Sequence, residues 1–129
     1  MACKAYNRTD FRYFEAKTVK LSEKQAQFLT DVALLIQWVN SQGWYVTGGE
    51  LFRTREQQEI YVRQGKSKTY NSKHLKRLAI DLFLFKDGKV TWKLEDYRPL
   101  GEFWQSIRPE NVWGGNFSTL KDGVHFERR

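Results

Sequence analysis

Two histidines and one misplaced carboxylate carry most of the chemistry open to this 129-residue chain. His74 and Asp81 stand seven residues apart in Ser72-Lys73-His74-Leu75-Lys76-Arg77-Leu78-Ala79-Ile80-Asp81, and the second histidine is His125. Asp81 interrupts Leu78-Ala79-Ile80-Asp81-Leu82-Phe83-Leu84-Phe85, a run that otherwise reads as a buried strand. An ionised carboxylate there costs several kcal/mol unless a positive group meets it. A divalent metal held by His74, Asp81 and His125 resolves all three placements. Zinc in a catalytic site takes three such ligands and keeps a fourth position for water, whose pKa it lowers to roughly 7. The pattern implies metal-dependent hydrolysis.

Hydrolysis also needs a base and a positive group for the developing oxyanion. Asp122 precedes His125 by three residues in Lys121-Asp122-Gly123-Val124-His125-Phe126-Glu127, and a carboxylate in that turn can approach the same water without binding the metal. Glu127 is the competing base. At two residues past His125 in a strand it shares the His125 face, a position better suited to supporting that ligand. Arg53, beside Thr54 at the mouth of a helix, is the candidate cation.

The elements that must position these groups follow from patterning. Ser22-Glu23-Lys24-Gln25 has the form of a capping box, and Phe28, Val32, Leu35 and Val39 repeat behind it at helical spacing. Leu29, Ile36 and Trp38 widen that stripe, and Gly43 is a plausible stop. Trp44-Tyr45-Val46-Thr47 reads as a strand. Thr54-Arg55-Glu56-Gln57 opens a short helix that runs to Gly65. Beyond the Leu78–Phe85 strand, Asp87-Gly88 signals a tight hairpin with Val90-Thr91-Trp92 returning. A helix is expected from Pro99 through Ile107, a loop at Trp113-Gly114-Gly115-Asn116, and a last strand at Val124-His125-Phe126. The fold class is α+β: a single small domain over residues 1–129, an antiparallel sheet with helices packed on it.

Composition bounds the partners. No apolar run approaches the length of a membrane span, and the first eight residues hold no apolar segment of the signal-peptide kind, so synthesis in the cytoplasm is expected. One cysteine, Cys3, excludes an intramolecular disulfide and a multi-cysteine metal site. The net charge of +7 favours a polyanion, either nucleic acid or anionic bacterial wall.

Together these residues resemble the M15 metallopeptidases, the D-alanyl-D-alanine carboxypeptidase and dipeptidase group that includes many phage endolysins. Ser72, His74, Ala79 and Asp81 match that family's Ser-x-His-x-x-Gly-x-Ala-x-Asp pattern, and Asp122-Gly123-Val124-His125-Phe126 is similar to its acid-x-x-His-Phe/Trp element. Phe52-Arg53-Thr54-Arg55-Glu56-Gln57 resembles the upstream Arg-Ser/Thr-x-x-x-Gln block. Trp113-Gly114-Gly115-Asn116-Phe117 is similar to a segment of the branch that cleaves between L-alanine and D-glutamate. Two positions depart: Arg77 replaces the pattern's glycine, and Val124 stands where proline is common.

The resemblance implies one zinc ion per chain on His74, Asp81 and His125, with Asp122 as base and Arg53 as electrostatic stabiliser. Ser72, Glu127 and Trp113 would touch substrate or support the ligands. The implied scaffold is the one shared with the Hedgehog signalling domain and the D,D-peptidases, and the implied substrate is the peptidoglycan stem peptide. The leading expectation is L-alanyl-D-glutamate hydrolysis by a monomeric, phage-type lysis enzyme that meets the wall after release from the cell. The alternatives are a D,D-carboxypeptidase or dipeptidase, a degenerate zinc site in a binding protein, and a basic nucleic-acid-binding module. The last leaves Asp81 unexplained, so no nucleic acid is expected.

Overall fold

The computed structural model describes residues 19–129; Cys3 and the N-terminal residues read for a targeting signal lie outside them. Helix α1 spans Leu21–Ser41, α2 Arg55–Arg63 and α3 Leu94–Ile107. Strands β1 (Tyr45–Gly48), β2 (Ala79–Lys86), β3 (Lys89–Val90), β4 (Asn111–Trp113) and β5 (His125–Arg128) form one antiparallel sheet. Its order is β1-β2-β5-β4, with β3 paired to β2.

The apolar stripe of α1 is as expected at Phe28, Val32, Leu35 and Val39, each at most 3 % exposed. They pack with Leu82 and Leu84 of β2, Tyr97, Leu100 and Trp104 of α3, Trp113 of β4 and Phe126 of β5. Each such side chain contributes about 1.5–3 kcal/mol on burial. Leu29, expected in the stripe, is exposed. Its place inside is taken by polar groups: Asp31 accepts from Arg108 at 2.9 Å and from Asn111 at 3.2 Å, and Gln27 accepts from Arg128 at 2.6 Å. These bonds satisfy the charge that burial would otherwise penalise.

Three boundaries differ from expectation. Ser22 is not the cap of α1; the cap is Lys20, two residues earlier, and Glu23 rather than Gln25 reaches back, accepting the Lys20 N–H at 3.2 Å. Gln25 instead donates to the Lys76 carbonyl at 2.8 Å. Helix α3 starts at Leu94, five residues before Pro99, with Glu95 and Asp96 in its first turn where the helix dipole favours acids. Strand β4 has too few residues to show an alternation in sequence. The other signals hold: Thr54 Oγ1 accepts the Gln57 N–H at 3.1 Å, and Asp87 and Gly88, both at positive φ, turn the β2–β3 hairpin.

Two pairings assemble the site. Asp81 on β2 lies directly opposite His125 on β5. A 3₁₀ turn at Lys73–Lys76, capped by Ser72, delivers His74 to the start of β2. Arg77 ends that turn in the left-handed region, φ 53° and ψ 39°, the conformation that favours the family's glycine there. Its guanidinium lies 4.5 Å above the Phe52 ring, a contact that offsets part of the strain.

Candidate metal centre and active-site cleft

Three donor atoms converge: His74 Nε2, His125 Nδ1 and Asp81 Oδ1. The two nitrogens are 3.2 Å apart, and Oδ1 stands 3.4 Å from His74 and 3.5 Å from His125. Ligands at about 2.0–2.1 Å on a tetrahedral ion are separated by about 3.3–3.4 Å, so the triangle has the edge length such an ion requires. Asp81 Oδ1 is buried without a hydrogen-bond partner, an orphan that a cation satisfies. These three residues form the potential metal-binding cluster among the described residues.

Each imidazole is oriented by a hydrogen bond from its outer nitrogen, which aims the inward nitrogen at the other donors. His74 Nδ1–H donates to the Leu51 carbonyl at 3.1 Å, and His125 Nε2–H donates to Glu127 Oε1 at 2.8 Å. Glu127 therefore lies where its strand position implied, behind His125. Burial alone would raise the Asp81 pKa, but the ring nitrogens of His125 and His74 outweigh it and hold the carboxyl at about 2. Burial alone would lower that of His125, but the carboxylates of Asp81 and Glu127 overcome it and raise the imidazole to about 9.

The cluster opens on a cavity of about 700 Å³, also lined by Asp122, Arg53, Ser72 and Glu127. Desolvation raises the Asp122 pKa above the usual carboxylate range, the neighbouring Asp81 charge adds to it, and His125, His74 and Arg53 act against it. The Asp122 position is set by the Trp113-Gly114-Gly115 segment. A Cβ on Gly114 would stand 2.3 Å from the Asp122 carbonyl oxygen and 2.9 Å from His125 Cβ. The Asp122 N–H also donates to the Gly114 carbonyl at 2.9 Å. Trp113 itself does not line the cavity: it is buried against Gly101 and Gly115, and its Nε1–H donates to the Gly123 carbonyl at 2.8 Å. It braces the turn that carries Asp122 rather than facing substrate.

Arg53 is anchored rather than solvated. Its Nε donates to Glu50, and its Nη1 donates to Gln58 Oε1 at 2.7 Å and Ser72 Oγ at 3.4 Å, leaving Nη2 without a partner among the described residues. Ser72 Oγ also accepts the His74 N–H at 3.3 Å, so one hydroxyl joins the arginine to the turn that carries His74. Sequence reasoning missed Glu50 and Gln58. Gln58 is 1 % exposed, and its amide also donates to Ser67 Oγ at 2.9 Å and to the Thr69 carbonyl, tying the cavity rim to Arg53. The signal for it was present, since Gln58 completes the Arg-Thr-x-x-x-Gln spacing begun at Arg53.

This fold and site define a small metallopeptidase-like domain, and residues 65–128 match the M15 peptidase family described as D-alanyl-D-alanine carboxypeptidase. The match takes in His74, Asp81 and His125 and makes the chain similar to that family over about half of its length. The chain is 32 % identical over 94 residues to the L-alanyl-D-glutamate peptidase of Listeria phage A118, a match covering 72 % of this chain. The chain spans about a third of that curated relative's length, 34 %. The crystal structure of the Serratia marcescens L-Ala D-Glu endopeptidase ChiX superposes with a TM-score of 0.70 at 26 % identity, covering 88 % of this chain and 89 % of that one. The vancomycin resistance D,D-pentapeptidase VanY, solved in complex with Zn(II), shares the fold at a TM-score of 0.53 and 19 % identity, over 79 % of this chain and 70 % of its own. No helix among the described residues is long and apolar enough to cross a membrane.

Proposed function

We propose that this chain is a zinc-dependent peptidase that hydrolyses the L-alanyl-D-glutamate bond of peptidoglycan stem peptides. The carrying observation is the His74–Asp81–His125 triangle, with its tetrahedral edge lengths and its orphaned carboxylate oxygen. The choice of bond is supported by the printed activities of the phage relative and of ChiX, both L-Ala–D-Glu enzymes.

His74, Asp81 and His125 would hold the zinc, which when bound supplies a Lewis acid for the scissile carbonyl and acidifies a water. Asp122 accepts the proton of the attacking water and returns it to the leaving amine nitrogen. Its raised pKa makes the carboxylate a stronger base toward that water, and the carboxylic acid so formed is still far more acidic than an ammonium group, so the proton passes readily to the leaving amine. Arg53, fixed on three sides, directs its free Nη2 toward the charge that develops on the carbonyl oxygen. Ser72 and Glu127 orient His74 and His125, and Trp113 holds the Asp122 turn in place. Lys66, Lys68, Lys73 and Lys121 line the same cavity and favour the anionic stem peptide.

We take residues 1–129 as one peptidase domain acting as a monomer on the wall. The test is incubation of the protein with purified sacculi, with and without a chelator, followed by mass spectrometry of the products. Chelator-sensitive release of stem peptides beginning at D-glutamate is expected. Loss of terminal D-alanine alone would move the bond, and equal products with and without chelator would refute the metal.

A further inference from the structure

The face of β2 that carries Asp81 continues with Phe83 and Phe85, while Leu82 and Leu84 turn into the core. Strand register widens that face, since Phe85 lies opposite Tyr45 on β1 and opposite Val90 on β3. The Tyr45 and Phe85 rings stack with centroids 4.9 Å apart, and Phe83 meets Trp92 edge-on at 5.4 Å. Tyr45 is 46 % and Trp92 65 % exposed. Rings grouped and exposed in this way mark a contact surface.

That surface is continuous with the cleft. Gly49 lies beside Asp81, its N–H donating to the Asp81 carbonyl at 2.7 Å. A Cβ on Gly49 would stand 2.8 Å from the Phe83 ring and 3.0 Å from Asp81 Cβ, so the ring reaches the metal ligand's immediate neighbour. A rise of about 3.3 Å per residue puts Phe83 about 7 Å and Phe85 about 13 Å from Asp81 along the strand.

We propose that this aromatic face binds the glycan strand of peptidoglycan, seating the sugar that bears the stem peptide while the peptide enters the cleft. The inference rests on the peptidase assignment and names the second half of its substrate. Pyranose rings present apolar C–H faces that pack on aromatic rings, and a neutral sugar matches a face built from Tyr45, Phe83, Phe85 and Trp92. The anionic peptide matches the lysines of the cavity. In peptidoglycan the stem peptide starts on the lactyl group of its sugar, so L-alanine alone separates that group from the L-Ala–D-Glu bond. At about 3.5 Å per residue the lactyl group and L-alanine span about 7 Å, the separation of Phe83 from Asp81. A D-Ala–D-Ala bond lies three residues further out and would carry the sugar about 10 Å beyond this platform.

The test compares two substrates, a disaccharide carrying the stem peptide and the same stem peptide without sugar, using the full chain and its Trp92→Ala and Tyr45→Ala variants. The wild type is expected to favour the sugar-bearing substrate. Each variant should raise KM for that substrate about three- to tenfold, the effect of one lost ring contact, with kcat and the free-peptide kinetics unchanged. Tryptophan fluorescence titrated with peptide-free glycan strands reads binding without turnover, and should lose its response in Trp92→Ala. Cleavage of both substrates without discrimination, together with no glycan response, overturns the inference while leaving the peptidase intact. Cleavage of neither by the wild type overturns the peptidase assignment, and this inference with it. A wild-type dimer that Trp92→Ala dissociates with KM unmoved would make the face a self-contact and also overturn the proposal.

Discussion

Metal loading should be strongly proton-coupled, and the structure sets the size of the effect. In the metal-free protein His125 is raised from 6.5 to about 9 by Asp81 and Glu127, so near neutral pH its Nδ1 carries a proton directed at Asp81. A metal needs that lone pair and must displace the proton. Each pH unit below 9 therefore costs a factor of about ten in apparent affinity, roughly 100-fold or about 3 kcal/mol at pH 7. Asp81, held at about 2, stays ionised throughout that range and adds no dependence of its own. The assay is competition for zinc against a chromophoric chelator of known proton affinities between pH 6 and 8.5, paired with calorimetry in buffers of different ionisation enthalpy. The expected result is a near tenfold gain per unit and about one proton released per ion at pH 7. An affinity flat across that range, with no proton release, would refute the account of how these three residues share charge.

Other outcomes follow from the same geometry. In chelator-treated protein the raised His125 pKa contributes stability that is present below pH 6.5 and lost as pH rises through about 9; a melting series should fall across that window by at most about 3 kcal/mol. Asp122→Asn should lower kcat by about 100- to 10,000-fold while bound metal, measured by emission spectrometry, stays at one per chain. Gly114→Ala forces a Cβ against the Asp122 carbonyl and His125, so both turnover and metal affinity should drop, where a purely catalytic defect would spare the metal. Arg77→Gly should leave the melting temperature and metal content nearly unchanged, since relief at φ 53° offsets the lost Phe52 contact. Arg77→Val, β-branched at a left-handed position, should destabilise by about 1–3 kcal/mol.

The candidate ligand cluster was legible in sequence because each member broke a local rule: a carboxylate in an apolar strand, and two scarce histidines, each close to an acid. Strand β2 and its Asp87-Gly88 turn were equally plain, since periodicity and turn chemistry act over a few residues. What sequence hid was long-range. Strand β4 exists because β5 pairs with it and Trp104 donates to the Val112 and Glu127 carbonyls, not because of its own three residues. Asp31 carries no local signal of burial, and only Arg108 and Asn111, nearly eighty residues on, make its burial tolerable. Trp113 was expected either to touch substrate or to support the ligands, and only the fold shows that Gly101 and Gly115 open a slot for it in the core. Arg77 looked like a loss of backbone freedom, and the chain adopts the left-handed conformation regardless with Phe52 beneath the guanidinium.

The central claim is that His74, Asp81 and His125 together hold one catalytic metal. Anomalous diffraction at the zinc edge from crystals of the zinc-loaded protein tests it most directly. One peak is predicted, about 2.0–2.2 Å from His74 Nε2, His125 Nδ1 and an Asp81 carboxylate oxygen. A peak bound by other residues, or none at this triangle, would contradict the account.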